Sequence, residues 1–215
     1  MNFQERLKAK LVTFEGNLTP RFQKIILDDI KAVIDSGQPG RVLKVGDRMP
    51  KIELNDQNGQ PSNSDELLKE GPLVVTFYRG FWCAFCNLDL ANLNHYMADI
   101  KDLGAQMITL SPEKTDYSKK IIARQKLGFN ILFDERNEVA DKFGLKHIVG
   151  KDLQELYLTG FNVNLKQYHG NDEWGLPIPA RFLVGQDGII LYAESKADYR
   201  LRPDPDDMME VLKSL

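Results

Sequence analysis

Cysteine is scarce in this chain: of 215 residues only Cys83 and Cys86 carry a thiol. That rules out a disulfide framework, and an apolar content of 42% is enough for a core without one. Long apolar runs are missing too, and none approaches the length of a membrane span. There is no excess of positive charge; the net charge of −3 lacks the basic face of a nucleic-acid binder. Histidine is sparse, and His95, His147 and His169 are scattered. With no second C-x-x-C beside them, a four-ligand zinc site is not expected. No glycine-rich loop follows a strand, so nucleotide binding has no support, and no other cofactor is implied. Repeats and low-complexity tracts are also absent. The opening Met1-Asn2-Phe3-Gln4-Glu5-Arg6 leads into charged amphipathic sequence without an apolar signal core. Cytoplasmic residence is therefore the expectation, and there a C-x-x-C pair points to catalysis rather than stapling.

What is present centres on Phe77-Tyr78-Arg79-Gly80-Phe81-Trp82-Cys83-Ala84-Phe85-Cys86. Leu73 to Tyr78 is a short apolar, β-rich run that reads as a buried strand. Beyond it Cys86, Leu90, Leu93, Met97 and Ile100 recur at helical spacing. Cys83 thus falls where a strand has ended and a helix begins. Free N–H groups at a helix start favour a nearby thiolate, which makes such a cysteine nucleophilic. The alternative, that both cysteines are small core residues, is weighed against a specific redox arrangement, C-x-x-C at a strand-to-helix turn.

The rest of the chain reads as an α/β layout. Phe3, Leu7, Leu11 and Phe14 form one helical stripe; Phe22, Ile25, Ile26, Ile30, Val33 and Ile34 form a wider one. Thr19-Pro20 starts the second helix and Gly37 ends it. Residues 1–40 are thus expected to be an appended helical pair whose stripes pack on the domain or, the favoured cover, build a homodimer. Residues 41–215 are expected to form the domain proper. There Asn58-Gly59 marks a hairpin. Strands are expected at 73–78, 106–110 and 130–133, and a hairpin over 181–192 turns at Asp187-Gly188. Helices are expected from Pro112 to about Leu127, from Glu138 to Phe143, and from Asp206 to Leu215. Residues 145–176 show little period and many aromatics, as a cover or lid would. Together these elements make a mixed central sheet flanked by helices.

Three segments carry a family resemblance. Trp82-Cys83-Ala84-Phe85-Cys86 resembles the thioredoxin active site, and Ile178-Pro179-Ala180 before a strand resembles its cis-proline segment. Val45-Gly46-Asp47-Arg48-Met49-Pro50, the hairpin, and the strand leading to the cysteine are similar to the peroxiredoxins, the alkyl hydroperoxide reductase and thiol-specific antioxidant group. Phe77 to Cys83, Asn87-Leu88-Asp89-Leu90 and the tail Asp198-Tyr199-Arg200-Leu201-Arg202-Pro203 resemble a branch of that group carrying C-x-x-C. The resemblance covers residues 43–215. It implies a thioredoxin-like fold and a thiol-dependent peroxidase acting on hydrogen peroxide or alkyl hydroperoxides. A thioredoxin-like or small-thiol reductant would recycle it, without metal or membrane.

In that frame Cys83 attacks peroxide and becomes a sulfenic acid, Cys86 resolves it as a disulfide, and Arg181 stabilises negative charge. For Cys86 the alternative is a buried inert thiol; for Arg181, a surface charge. Thr76, Arg79, Gly80, Trp82 and Pro179 are the expected substrate-side residues. The family pattern is broken at two of these positions and beside them. Thr76 replaces a proline, Gly80 replaces the threonine or serine whose hydroxyl contacts peroxide, and Ala84 stands where C-x-x-C motifs often carry proline. These departures favour thiol–disulfide exchange as the alternative activity, with a poorly turning-over redox sensor behind it.

Overall fold

The computed structural model describes residues 1–215. It begins with α1 (Phe3–Gly16) and α2 (Pro20–Asp35). Asn2 and Glu5 form a reciprocal capping box at α1, and Thr19 Oγ1 accepts the Phe22 N–H at 3.2 Å to cap α2. Gly37, at φ +73°, makes the left-handed turn into the short α3 (Gln38–Arg41).

The hairpin β1 (Glu53–Asn55) and β2 (Pro61–Asn63) then leads through α4 (Ser64–Glu70) into β3 (Leu73–Phe77). After β3 come α5 (Ala84–His95), α6 (Met97–Asp102), β4 (Gln106–Ser111), α7 (Thr115–Gln125) and β5 (Asn130–Phe133). A 3₁₀ turn precedes α8 (Glu138–Lys142), β6 (Lys146–Ile148), α9 (Lys151–Thr159) and α10 (Leu165–His169). The chain closes with β7 (Gly175–Pro177), β8 (Ala180–Val184), β9 (Ile190–Ser195) and α11 (Pro205–Lys213).

The central sheet runs β5-β4-β3-β8-β9, with β3, β4 and β5 parallel and β8 and β9 antiparallel to their neighbours. This is the mixed sheet of a thioredoxin-like fold. Every residue of β3 is buried, as a central strand covered on both faces requires. Val74 and Tyr78 face α5, packing with Leu90 and Leu93; Val75 and Phe77 face the other layer, with Phe143 and Phe182. A third cluster joins Ile26 and Ile30 of α2 to Leu153, Leu156 and Tyr157 of α9. Leu7 of α1 enters the α5 layer. Much of the apolar stripes of the first two helices is therefore covered by their own chain, while Ile34 of α2 stays about half exposed.

Local differences from the sequence expectation have physical causes. The stripe from Cys86 to Ile100 splits at Tyr96 into α5 and α6, because Tyr96 sits at φ −90°, ψ −4° and its N–H turns back to Leu93. α7 starts at Thr115 rather than Pro112, because Lys114 N–H is held by the Tyr168 carbonyl at 2.9 Å. Residues 145–176 are more regular than an irregular lid: β6 and β7 pair antiparallel and enclose two helices. The Ile178–Pro179 bond is trans, like every peptide bond in the chain, where the thioredoxin resemblance implied cis. Trans is the intrinsic preference of an X–Pro bond by about 0.5–1 kcal/mol. No helix is long and apolar enough to cross a membrane.

Candidate active site

β3 ends at Phe77, and Tyr78 N–H continues its pairing to the Leu110 carbonyl at 3.1 Å. The chain then turns over the C-terminal edge of the parallel strands and enters α5. Cys83 is the N-cap residue of that helix, with extended φ/ψ and no side-chain cap bond of its own. Its N–H reaches the Gly80 carbonyl at 3.0 Å, and Asn87 Nδ2 bonds the Phe81 carbonyl at 2.8 Å, fixing the loop. The two thiols are free, and both are nearly sealed: Cys83 is 4% exposed and Cys86 0%.

Arg79 reaches back over the helix start and points Nη1 at the Cys83 sulfur, 3.9 Å away. Its guanidinium stacks 3.7 Å from the Tyr199 ring centroid and 4.9 Å from that of Trp82, and Nη2 donates to the Tyr157 hydroxyl. Aromatic rings from three separate segments thus hold one buried arginine in place. Burial by itself pushes the Cys83 thiol up. A hydrogen bond from the Cys86 thiol, the charges of Arg79 and Arg202, and the Cys86 backbone N–H outweigh it and hold Cys83 well below the usual thiol range. Cys86 moves the opposite way. Burial, the hydrogen bond to Cys83 and the Cys83 charge keep it protonated, against the pull of Arg202. The geometry divides the pair into a thiolate and a thiol.

Arg181 does not reach the Cys83 sulfur, contrary to expectation. The β3–β8 register sets it directly opposite Thr76, and its partner Asp89 stands on the second turn of α5. There it is buried and donates Nη2 to Asp89 Oδ1 at 2.8 Å. The other Asp89 oxygen lies 3.4 Å from Arg202 Nε. Thr76 shares that face, buried, with no partner for its hydroxyl. Gly80, at φ +150°, is required by packing: a Cβ there would lie 2.6 Å from both Glu113 Oε1 and Trp82 Nε1. Pro179 is buried between β7 and β8.

A cavity of about 160 Å³ opens onto Cys83, walled by Phe14, Trp82, Phe85, Tyr157, Phe161 and Tyr199 among others. Trp82 and Arg79 line it; Thr76, Gly80, Pro179 and Arg181 do not. A larger hollow of about 610 Å³ beside β1 and β2 is mostly polar and far in sequence from either cysteine. Thiol chemistry belongs to the smaller, apolar cavity.

Sequence reasoning missed Glu113 and Arg202. Glu113 is fully buried, and its Oε2 accepts the Phe81 N–H at 2.7 Å. Burial first, then the nearby Cys83 charge, push its carboxyl up to about 8 against that N–H bond. Its signal was its place just after β4, at the edge where α/β sheets gather their sites. Arg202 Nη2 lies 3.0 Å from the Cys86 sulfur. Its signal was a doubly charged tail that nonetheless buries both Arg200 and Arg202.

Known proteins share the sequence and fold around this site. The family model described as AhpC/TSA family matches residues 45–193. Peroxiredoxin Bcp of Escherichia coli (strain K12) is 27% identical over 125 residues, 57% of this chain and 80% of that protein. The chloroplastic peroxiredoxin Q of Sedum lineare is 28% identical over 100 residues, 46% of this chain and 53% of that one. Among solved structures, peroxidoxin BcpB of Mycobacterium tuberculosis superposes with a TM-score of 0.62 at 20% identity, covering 80% of this chain and 98% of that one. Peroxiredoxin Q of Xanthomonas campestris gives 0.57 at 14% identity, covering 76% and 90%. At these identities the structures speak for the fold.

Proposed function

The chain belongs to the AhpC/TSA family and is a thiol-dependent peroxidase, and from that premise we propose that Cys83 is the sulfur peroxide oxidises and Cys86 the sulfur that resolves it. The observation that carries this reading is the Arg79–Cys83–Cys86 geometry at the start of α5. The Cys83 thiolate attacks one peroxide oxygen; an S–O bond forms, the O–O bond breaks, and the other oxygen leaves as water or alcohol after taking a proton. Arg79 offsets the negative charge as it moves from sulfur to oxygen. Cys86 then attacks the Cys83 sulfur. An S–S bond forms, the sulfenic S–O bond breaks, and the departing hydroxide takes the Cys86 proton to leave as water. A dithiol of thioredoxin type, or a small thiol, reopens the disulfide by exchange. Neither Arg181 nor Asp89 is given a direct part; both act by position.

The apolar cavity favours alkyl or aromatic hydroperoxides over hydrogen peroxide, since only the former have carbon to bury there. In this reading residues 41–215 form the peroxidase unit, and residues 1–40 are an extension that lends Phe14 to the cavity wall. A site needing reduction after every turnover suits the cytoplasm, where thiol pools are kept reduced. The homodimer would rest on what α2 leaves uncovered, chiefly Leu27 and Ile34, each about half exposed; light scattering decides it.

Intact mass after one equivalent of peroxide tests the chemistry. The parent should lose two hydrogens, Cys86→Ser should gain one oxygen, and Cys83→Ser should do neither. Reaction of Cys83→Ser at the parent's rate would sink the assignment.

A further inference from the structure

We infer that Arg202 activates Cys86 for the resolving step, holding its sulfur as the attacking thiolate while the disulfide forms. This rests on the reading that Cys86 resolves. Arg202 Nη2 lies 3.0 Å from the Cys86 sulfur, closer than Arg79 comes to Cys83. The guanidinium is fixed from several sides. Nη1 donates to the Tyr199 carbonyl and, at 2.7 Å, to the Leu201 carbonyl, while Nε faces Asp89 at 3.4 Å. Asp89 is itself held by Arg181. The residue is 4% exposed, so it cannot swing into water to satisfy its charge.

A neutral thiol is a weak acceptor and returns little for a buried guanidinium N–H aimed at it. A thiolate is a strong one, because a charge-assisted hydrogen bond is about twice as strong as a neutral one. The geometry is therefore complementary to a state that Cys86 does not occupy at rest, which is how a group contributes to a step rather than to a ground state.

The groups around Cys86 set the order of events. They are Cys83 and Arg79 at the helix start, Tyr78 from the end of β3, Arg202 from the tail, and Asp89 one turn on. In the reduced protein the Cys83 charge opposes a second thiolate. Once peroxide converts Cys83 to a neutral sulfenic acid, that repulsion is gone and Arg202 remains. Cys86 then gives up its proton, and its sulfur displaces hydroxide from Cys83, which leaves as water. Each cysteine thus has its own arginine, and oxidation of the first hands the charge to the second.

Stopped-flow fluorescence, with Trp82 beside Cys83 as reporter, separates the two steps. The oxidation phase scales with peroxide; the resolving phase does not. An adjacent positive charge lowers a thiol pKa by about one to three pH units. Each unit lost costs tenfold in thiolate and returns about threefold in nucleophilicity. In Arg202→Met the resolving phase should therefore slow by about three- to thirtyfold near neutral pH and recover as pH rises. The oxidation phase should slow as well, because Arg202 also helps to hold Cys83 ionised, but by less than the resolving phase, because Arg79 is the larger charge on Cys83. Arg202→Lys, which keeps the charge should the methionine variant fail to fold, should recover part of the resolving rate. A resolving phase with the parent's rate and pH profile in either variant that folds and also lacks the Nη2 contact overturns the role of Arg202 alone. A parent protein that gains oxygen but never forms the internal disulfide overturns both this inference and the reading beneath it.

Discussion

A Cβ placed on Gly80 would lie 2.6 Å from Glu113 Oε1, so the glycine before the active cysteine and the buried carboxyl beyond β4 compete for one space. The family hydroxyl at this position is not merely missing; there is no room for its carbon. Gly80→Ala should cost about 1–3 kcal/mol of stability, from overpacking and from a left-handed φ. Gly80→Ser should cost as much and gain no activity. Adding Glu113→Ala should return part of the loss, since the two side chains share the clash. Denaturant midpoints of the single and double variants measure this, and simple additivity would contradict the shared space.

Arg79 should govern the Cys83 titration. Removing its charge in Arg79→Met moves the thiol pKa up, toward the range of a free cysteine. The sign follows: alkylation should fall by roughly tenfold or more on the acid side and converge with the parent at alkaline pH, while the peroxide reaction should stay slower there too, because Arg79 also offsets the charge that moves to oxygen. Arg79→Lys should rescue poorly, because the planar group stacked on Tyr199 is replaced by a point charge. Iodoacetamide labelling against pH gives the midpoint directly.

Arg181 should behave differently. It is bound to Asp89 inside the protein, so Arg181→Ala leaves part of a buried charge uncompensated and should cost about 3 kcal/mol. The Cys83 labelling midpoint should stay close to that of the parent. A large shift in that midpoint with unchanged stability would restore the direct role implied by the family resemblance.

Much of the fold was legible because its signals are local. The run from Leu73 to Tyr78, the stripe Cys86–Leu90–Leu93 and the Asn58–Gly59 turn each specify their element within a few residues, and the sheet forms from them. The cysteine pair was legible for the same reason. Which arginine serves which sulfur was not, because that depends on register and on long-range packing. Arg181 was displaced by one strand pairing, opposite Thr76. Arg79 was recruited by Tyr157 and Tyr199, 78 residues and more down the chain. Arg202 returns to α5 across a separation of 116 residues. Residues 145–176 looked irregular because their helices are short and their strands pair only with each other.

Glu113 should make the protein less stable as pH rises. Its folded pKa is pushed up to about 8 from an ordinary value near 4.5. The folded state therefore binds more protons than the unfolded one between those values. Its contribution is fully present below about 4.5 and lost as pH rises through about 8. Cys83, with its folded pKa lowered, acts in the opposite sense over part of that window. The comparison must therefore be between parent and Glu113→Gln, in which Cys83 is common. The glutamine variant should gain on the parent between about pH 5 and about pH 8. Parallel stability curves would mean that Glu113 is ionised in the folded protein.

Phe14 links the N-terminal extension to the chemistry, and it yields the sharpest test of substrate choice. Its ring packs edge-on at 5.4 Å from Phe85 and tilted at 6.0 Å from Phe161, closing one side of the cavity over Cys83. Hydrogen peroxide has no carbon to bury against it, whereas an aromatic hydroperoxide such as cumene hydroperoxide does. Removing one apolar wall forfeits about 1–3 kcal/mol of contact, or roughly ten- to two-hundredfold in kcat/KM. Phe14→Ala should therefore lower kcat/KM for cumene hydroperoxide within that range and leave that for hydrogen peroxide within about threefold. The Cys83 labelling midpoint should not move, because Phe14 carries no charge. Equal loss on both peroxides, with an unmoved midpoint, would make Phe14 a support for the helix start and would remove the case for an alkyl or aromatic substrate. Unequal loss would tie α1, which precedes the family-matched region, to the recognition of substrate by Cys83.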